Sequence, residues 1–222
     1  MNKRLVVLGI LILGIAIIGK LIFVLAKNIK VDEFHKSAVI FVVDSSASNQ
    51  SKLSEQIKYL KSLCSILDPE DEVKILKVSQ KAYLIYEGSP SDSMGITKAV
   101  TEFTKYDKND YGTAYGEGLK KAFSHALTMK KEGYVPAIVV IGDLANEGDV
   151  SKQINWEVLP KNVESVLQYA PDLAMMFVYA HPERLDMVKE LLNPVLGEKK
   201  LIVANEQNAQ KAQRRFLEAI GR

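Results

Sequence analysis

The stretch "SAVIFVVDSSASNQS", Ser37 to Ser51, decides how the chain is read. Six apolar residues, Ala38 to Val43, run without interruption, stop at Asp44 and are followed by Ser45, Ser46 and Ser48. A short, β-branched apolar run of this kind fits a strand covered on both faces, as in a parallel sheet. Its end is unusual: one carboxylate, then hydroxyls at the alternate positions Ser46 and Ser48, from which side chains of an extended turn converge on one point. The bland alternative is a helix N-cap with Ser/Asp turn chemistry, which needs no ligand.

Outward from this strand, short apolar runs alternate with stretches of helical period. Strands are expected near 38–44, 72–78, 82–87, 136–142, 173–179 and 200–204. In "LSEQIKYLKSLCSIL", Leu53, Ile57, Leu60, Cys64 and Leu67 fall on one face of a helix, which makes the single cysteine a buried core residue. Further helices are expected near 96–104, 115–130, 162–170, 183–192 and 208–220. Only "SQKA" separates the second and third strands, too little for a helical crossover, so they form an antiparallel hairpin. "EGSPSDSMG" and "KYDKNDYG" read as loops. The pattern predicts an α/β fold: a doubly wound, mostly parallel six-stranded sheet with one antiparallel edge strand.

Before this domain, residues 5–26, "LVVLGILILGIAIIGKLIFVLA", are apolar except for Lys20. As a helix they reach about 33 Å, enough to cross a bilayer. The division expected is an N-terminal transmembrane anchor over 1–26, or a signal sequence, then a linker over 27–36 and the domain over 37–222. The length of the run favours the uncleaved anchor. A four-residue tail before a long domain favours an inside N-terminus, hence a single-pass protein with its soluble domain outside the cytoplasm. "GIAIIGKL" within the run resembles a phosphate-binding loop but carries Leu21 where that loop needs Ser or Thr.

Net charge is +2 for the chain, and without Lys3, Arg4 and Lys20 there remain 26 basic against 27 acidic residues. A near-neutral domain has no electrostatic footprint for nucleic acid. One cysteine, Cys64, excludes an internal disulfide.

In open α/β sheets, ligands bind beyond the carboxyl ends of the strands where strand order reverses. The "AIVVIGD" strand ends in a second carboxylate, Asp143, and "YGTAYGEGLKKAF" places Thr113 at a loop-to-helix junction. Two carboxylates and three hydroxyls, with no histidine or cysteine, make a hard oxygen set suited to Mg²⁺, Mn²⁺ or Ca²⁺. His35, His125 and His181 lack metal-ligand spacing, and no Ser, His and Asp set falls on neighbouring strand ends. Tyr111 and Tyr115 flank Thr113, either as aromatic anchors for a partner or as packing against loops. Asn146, Glu147 and Asp149 read as a solvated acidic loop, the alternative being a role in partner specificity, and Asn49-Gln50-Ser51 is a glycosylation sequon.

Asp44, Ser46 and Ser48, then Thr113, then Asp143, resemble the metal-ion-dependent adhesion site of the von Willebrand factor A domain family, over roughly residues 37–220. The resemblance implies a Rossmann-like sheet with the first and fourth strands side by side. It implies a cation approached by the hydroxyls of Ser46, Ser48 and Thr113, and by Asp44 and Asp143 directly or through water. It further implies a partner protein whose Asp or Glu completes the coordination, and a binding module rather than an enzyme. Two positions depart from the family: Ala47 and Leu144 stand where it often has glycine. Alternative readings are a metal-independent assembly subunit of a membrane complex and, behind that, a metal-dependent phosphohydrolase.

Overall fold

A computed structural model describes residues 35–105 and 112–222. The expected N-terminal span over 1–26, most of the linker, and Tyr111 lie outside the described residues. Among the described residues, no helix is long and apolar enough to cross a membrane.

The strands are β1 (Ser37–Asp44), β2 (Glu72–Val78), β3 (Ala82–Gly88), β4 (Val135–Ile141), β5 (Ala174–Val178) and β6 (Leu201–Ala204). The helices are α1 (Gln50–Ser65), α2 (Ser93–Thr101), α3 (Tyr115–Lys131), α4 (Leu159–Leu167), α5 (Pro182–Leu196) and α6 (Ala209–Ala219). One sheet runs in the order β3-β2-β1-β4-β5-β6, parallel throughout except for the β2–β3 hairpin at one edge.

Alternation along each strand splits the core into two layers. Val39, Phe41 and Val43 of β1 face one layer with Leu60 of α1, Ile96 of α2 and Phe216 of α6. Ile40 and Val42 face the other with Leu119 of α3, Val163 of α4 and Val188 of α5. Both faces of β1 are therefore covered, which is why its sequence is apolar at six consecutive positions, Ala38 to Val43, rather than at every second one.

Element boundaries move where local chemistry overrides periodicity. α4 begins at Leu159, earlier than expected, because Pro160 is tolerated in the first helical turn. α2 begins inside the segment read as loop, since the Asp92 carboxylate accepts the Gly95 N–H at 2.9 Å and caps the helix. Leu67 lies just past α1 and Ile57 is only half-buried, while Gln56, Tyr59 and Leu63 share the buried face with Leu60 and Cys64. Cys64 is buried, as its place in the stripe requires.

β1 stands between β2 and β4, and the chain leaves β1 toward one edge and β4 toward the other. The reversal of strand order falls between β1 and β4, the place where such sheets open a crevice at their carboxyl ends.

Candidate metal centre

Register brings the two predicted carboxylates to neighbouring strand ends. Val43 of β1 pairs with Ile141 of β4, so Asp44 lies across from Gly142, and Asp143 follows by one residue. Gly142 takes φ +153°, and a Cβ built there would fall 2.0 Å from the Tyr115 hydroxyl and 2.6 Å from Asp44 Cβ. Only glycine permits this approach.

Asp44 is fully buried. Its Oδ1 accepts the Ser46 N–H at 2.8 Å, and its Oδ2 accepts the Tyr115 hydroxyl at 3.0 Å. The first contact is an Asx turn, so the turn chemistry of the bland reading is present. Asp44 nevertheless caps no helix: the residue before α1 is Asn49, and the short 3₁₀ turn Ala47–Asn49 is preceded by Ser46. Burial, opposed by the Ser46 N–H and reinforced by the negative Asp143, pushes the Asp44 carboxyl up to about 7. Among the described residues, no ion pair neutralises Asp44 or Asp143.

The hydroxyls gather at the rim. Ser46 Oγ and Ser48 Oγ lie 3.0 Å apart, the former buried and the latter exposed. Thr113 is 2% exposed, and its loop is pinned on two sides: its N–H donates to the Glu147 carbonyl at 3.1 Å, and the Ala114 N–H to the Ser79 carbonyl of the β2–β3 hairpin at 2.7 Å. The Ser45 N–H and hydroxyl both donate to the Val78 carbonyl, at 2.8 and 3.1 Å, tying the end of β1 to that of β2. Asp143 Oδ1 accepts the Ala145 N–H at 2.8 Å.

Below the Ser48 turn, Asn49 and Gln56 exchange amide hydrogen bonds of 2.7 and 3.0 Å, and Asn49 Nδ2 also donates to the Asp44 carbonyl at 2.9 Å. Asn49 is 1% exposed and engaged at both ends of its amide, so the sequon is closed to glycosylation in the folded domain.

Two residues take roles the sequence did not assign. Tyr115 is fully buried and serves as no partner's anchor: it donates to Asp44 and accepts the Leu144 N–H at 3.3 Å, holding the two strand ends together. Burial and the negative Asp44 and Asp143 raise its phenol well above the usual range, which keeps it a donor. Its place two residues after Thr113, opposite a glycine before Asp143, is the sequence signal for that role. Glu147 is exposed but not merely solvated, since its Oε2 accepts the Ser48 hydroxyl at 3.0 Å.

Leu144, one of the departures, takes φ +60° and is 1% exposed. A left-handed leucine costs about 1 kcal/mol or more. Its side chain compensates by joining the layer against α3 and α4.

The donor set fits a hard cation. It is all oxygen, and no cluster of three or more His, Cys, Asp or Glu side chains suited to a metal exists among the described residues, so the hydroxyls are essential to it. Adjacent corners of a Mg²⁺ octahedron with bonds of about 2.1 Å lie about 3 Å apart. The Ser46–Ser48 separation of 3.0 Å matches this spacing.

Fold and site together define an α/β domain with carboxylate and hydroxyl oxygens gathered at its strand switch. The family model of the von Willebrand factor type A domain matches residues 39–146, a span that contains all five predicted donors. Similar solved structures carry the same fold. A von Willebrand factor type A protein from Catenulispora acidiphila is 14% identical with TM-score 0.58, covering 84% of this chain and 43% of its own. BatB from Bacteroides thetaiotaomicron is 18% identical with TM-score 0.56, covering 82% of this chain and 98% of its own. Proximal thread matrix protein 1 of the mussel byssus, solved with a zinc-occupied site of the adhesion type, is 9% identical with TM-score 0.55, covering 83% of this chain and 48% of its own. No curated protein matches the sequence. The family model matches just under half of the chain and the neighbours share its fold, with the first and fourth strands adjacent as the resemblance implied.

Proposed function

We propose that this chain is a membrane-anchored binding module. It holds a divalent cation, Mg²⁺ or alternatively Mn²⁺ or Ca²⁺, among Asp44, Ser46, Ser48, Thr113 and Asp143, and takes an acidic side chain of a protein partner at that cation. The observation that carries the reading is Asp44: a fully buried carboxylate beside a second carboxylate, with no cation among the described residues paired to either. Buried charge of one sign is disfavoured unless a counter-charge arrives. Bound there, the cation supplies a Lewis-acidic position for a carboxylate, because three of its five donors are neutral hydroxyls. Domains of this family generally mediate protein–protein contacts, and one neighbour holds zinc at its site. The apolar run over residues 5–26 is the anchor, with the domain outside the cytoplasm.

Calorimetric titration of Mg²⁺ or Mn²⁺ into the full chain in detergent tests the cation. One site is expected, lost in Asp44→Ala; absence of heat, or equal heat in the variant, overturns the reading. Protease protection of the domain in sealed vesicles tests the side of the membrane.

A second reading, a metal-independent assembly subunit, is favoured by one fact: both Asp44 oxygens already have internal donors, so the fold closes without a cation. Partner capture that persists unchanged in chelator supports it over the first.

A further inference from the structure

We propose that Gln56, a residue outside the five donors, is a positioning residue for the cation: acting through Asn49, it holds the turn that carries Ser46 and Ser48 in one geometry. This rests on the cation reading above and adds to it a brace that favours a small ion over a large one.

The brace is a pair of amides buried in an apolar layer. Gln56 is fully buried on the face of α1 that also presents Leu53, Tyr59, Leu60 and Leu63, and Asn49 is buried just before that helix. Asparagine is a strong N-cap, yet the Asn49 amide is turned away from the N–H groups of α1 and toward other partners. Its Nδ2 donates to Gln56 Oε1 at 2.7 Å and to the Asp44 carbonyl at 2.9 Å, and its Oδ1 accepts from Gln56 Nε2 at 3.0 Å. The Asn49 N–H donates to the Ser46 carbonyl at 3.2 Å, and Gln50 Nε2 donates to the Ser45 and Ser46 carbonyls at 3.1 and 3.3 Å. The turn from Asp44 to Asn49 is thus held at both ends, and its last member is fastened to the second turn of α1.

Stability alone does not explain the pair. Replacing both partners of a buried hydrogen bond by apolar groups of the same shape is nearly neutral, and a leucine at 56 would extend the stripe of Leu53, Leu60 and Leu63. What two reciprocal amide bonds supply is direction, since they admit one relative placement where apolar packing tolerates several. Ser48 stands one residue before Asn49, so the place of its hydroxyl, 3.0 Å from Ser46 Oγ, follows from where Gln56 holds Asn49. Such placement matters most for Mg²⁺, which demands a near-ideal octahedron with bonds of about 2.1 Å, and least for Ca²⁺, which accepts oxygens at about 2.3–2.6 Å in flexible arrangements.

Two measurements on the full chain in detergent test the role: amide hydrogen exchange without metal, and calorimetric titration with Mg²⁺ and with Ca²⁺. Gln56→Leu is expected to speed exchange of the Ser46 and Asn49 amides about tenfold while those of β4 keep their rates. It is expected to weaken Mg²⁺ binding about tenfold and Ca²⁺ binding by less than about twofold. Asn49→Leu/Gln56→Leu removes both amides, strands neither of them in the apolar layer, and should show the same loss of preference for Mg²⁺. A role confined to stability would shift both ions by one factor. If Asp44→Ala abolishes binding of both ions while the two amide variants keep the wild-type ratio of Mg²⁺ to Ca²⁺ affinity, the positioning role is overturned and the cation reading stands. Wild-type exchange at Ser46 and Asn49 in Gln56→Leu also overturns the positioning role. Binding of neither ion by the wild type overturns both.

Discussion

Two buried aspartates lie at opposite ends of neighbouring strands. Asp71, just before β2, accepts the Ser37 and Asp68 N–H groups at 2.7 and 3.0 Å and pairs with the guanidinium of Arg222, which also meets Asp68. Asp44, at the far end of β1, receives an amide and a phenol and, among the described residues, no cation, and the charged group that acts on it is another carboxylate. The amino end of the sheet is electrostatically closed by the chain itself. At the carboxyl end the same residue type has no ion-pair partner among the described residues, and that difference is what the proposed cation site rests on.

The comparison breaks most sharply under mutation of its closed member. Asp71→Ala removes one of the two carboxylates that Arg222 meets and the acceptor of the Ser37 and Asp68 N–H groups, and is expected to lower stability by about 3 kcal/mol, read by chemical denaturation. The metal response of that variant should be unchanged. Gly142→Ala drives a methyl into Tyr115 and Asp44 and is expected to remove about 2 kcal/mol together with metal binding, since it displaces both strand ends. Tyr115→Phe takes the donor from Asp44 and the acceptor from the Leu144 N–H. About 1–2 kcal/mol of stability should be lost, with metal affinity down at least tenfold.

A separate effect is on pH. With its folded value raised to about 7 against an ordinary carboxylate near 4, Asp44 binds a proton more tightly in the native state. Metal-free stability therefore falls as pH rises from about 4 to 7 and levels above that. Metal affinity runs the other way: below pH 7 the cation must displace a proton, so Kd should rise about tenfold per unit of acidification. Titrations at pH 6 and 8 check this.

Much of the fold was legible because β1 and β4 carry unbroken apolar runs, Ala38 to Val43 and Ala137 to Ile141, a pattern that demands two covered faces, and because "SQKA" is too short for anything but a hairpin. Helix ends were less so, since Pro160 and Asp92 set them through first-turn and capping chemistry rather than periodicity. At the site, the alternation of Asp44, Ser46 and Ser48 announced convergence. The structure joins these three by hydrogen bonds and links Thr113 to Ser48 through Glu147. Tyr115 and Glu147 escaped because their contacts reach across 71 and 99 positions of chain, and only Tyr115, two residues after Thr113, left a trace in local spacing.

The central claim, that the carboxyl end is short of a positive charge which a cation supplies, is tested most directly by thermal unfolding of the full chain at pH 7.5 with and without excess Mn²⁺. Saturation at a hundred times Kd is worth about 2.7 kcal/mol, or about 5–10 °C in a domain of this size. The account predicts that rise for the wild type and for Asp71→Ala, and none for Asp44→Ala. An unmoved wild type, or an equal rise in Asp44→Ala, contradicts it.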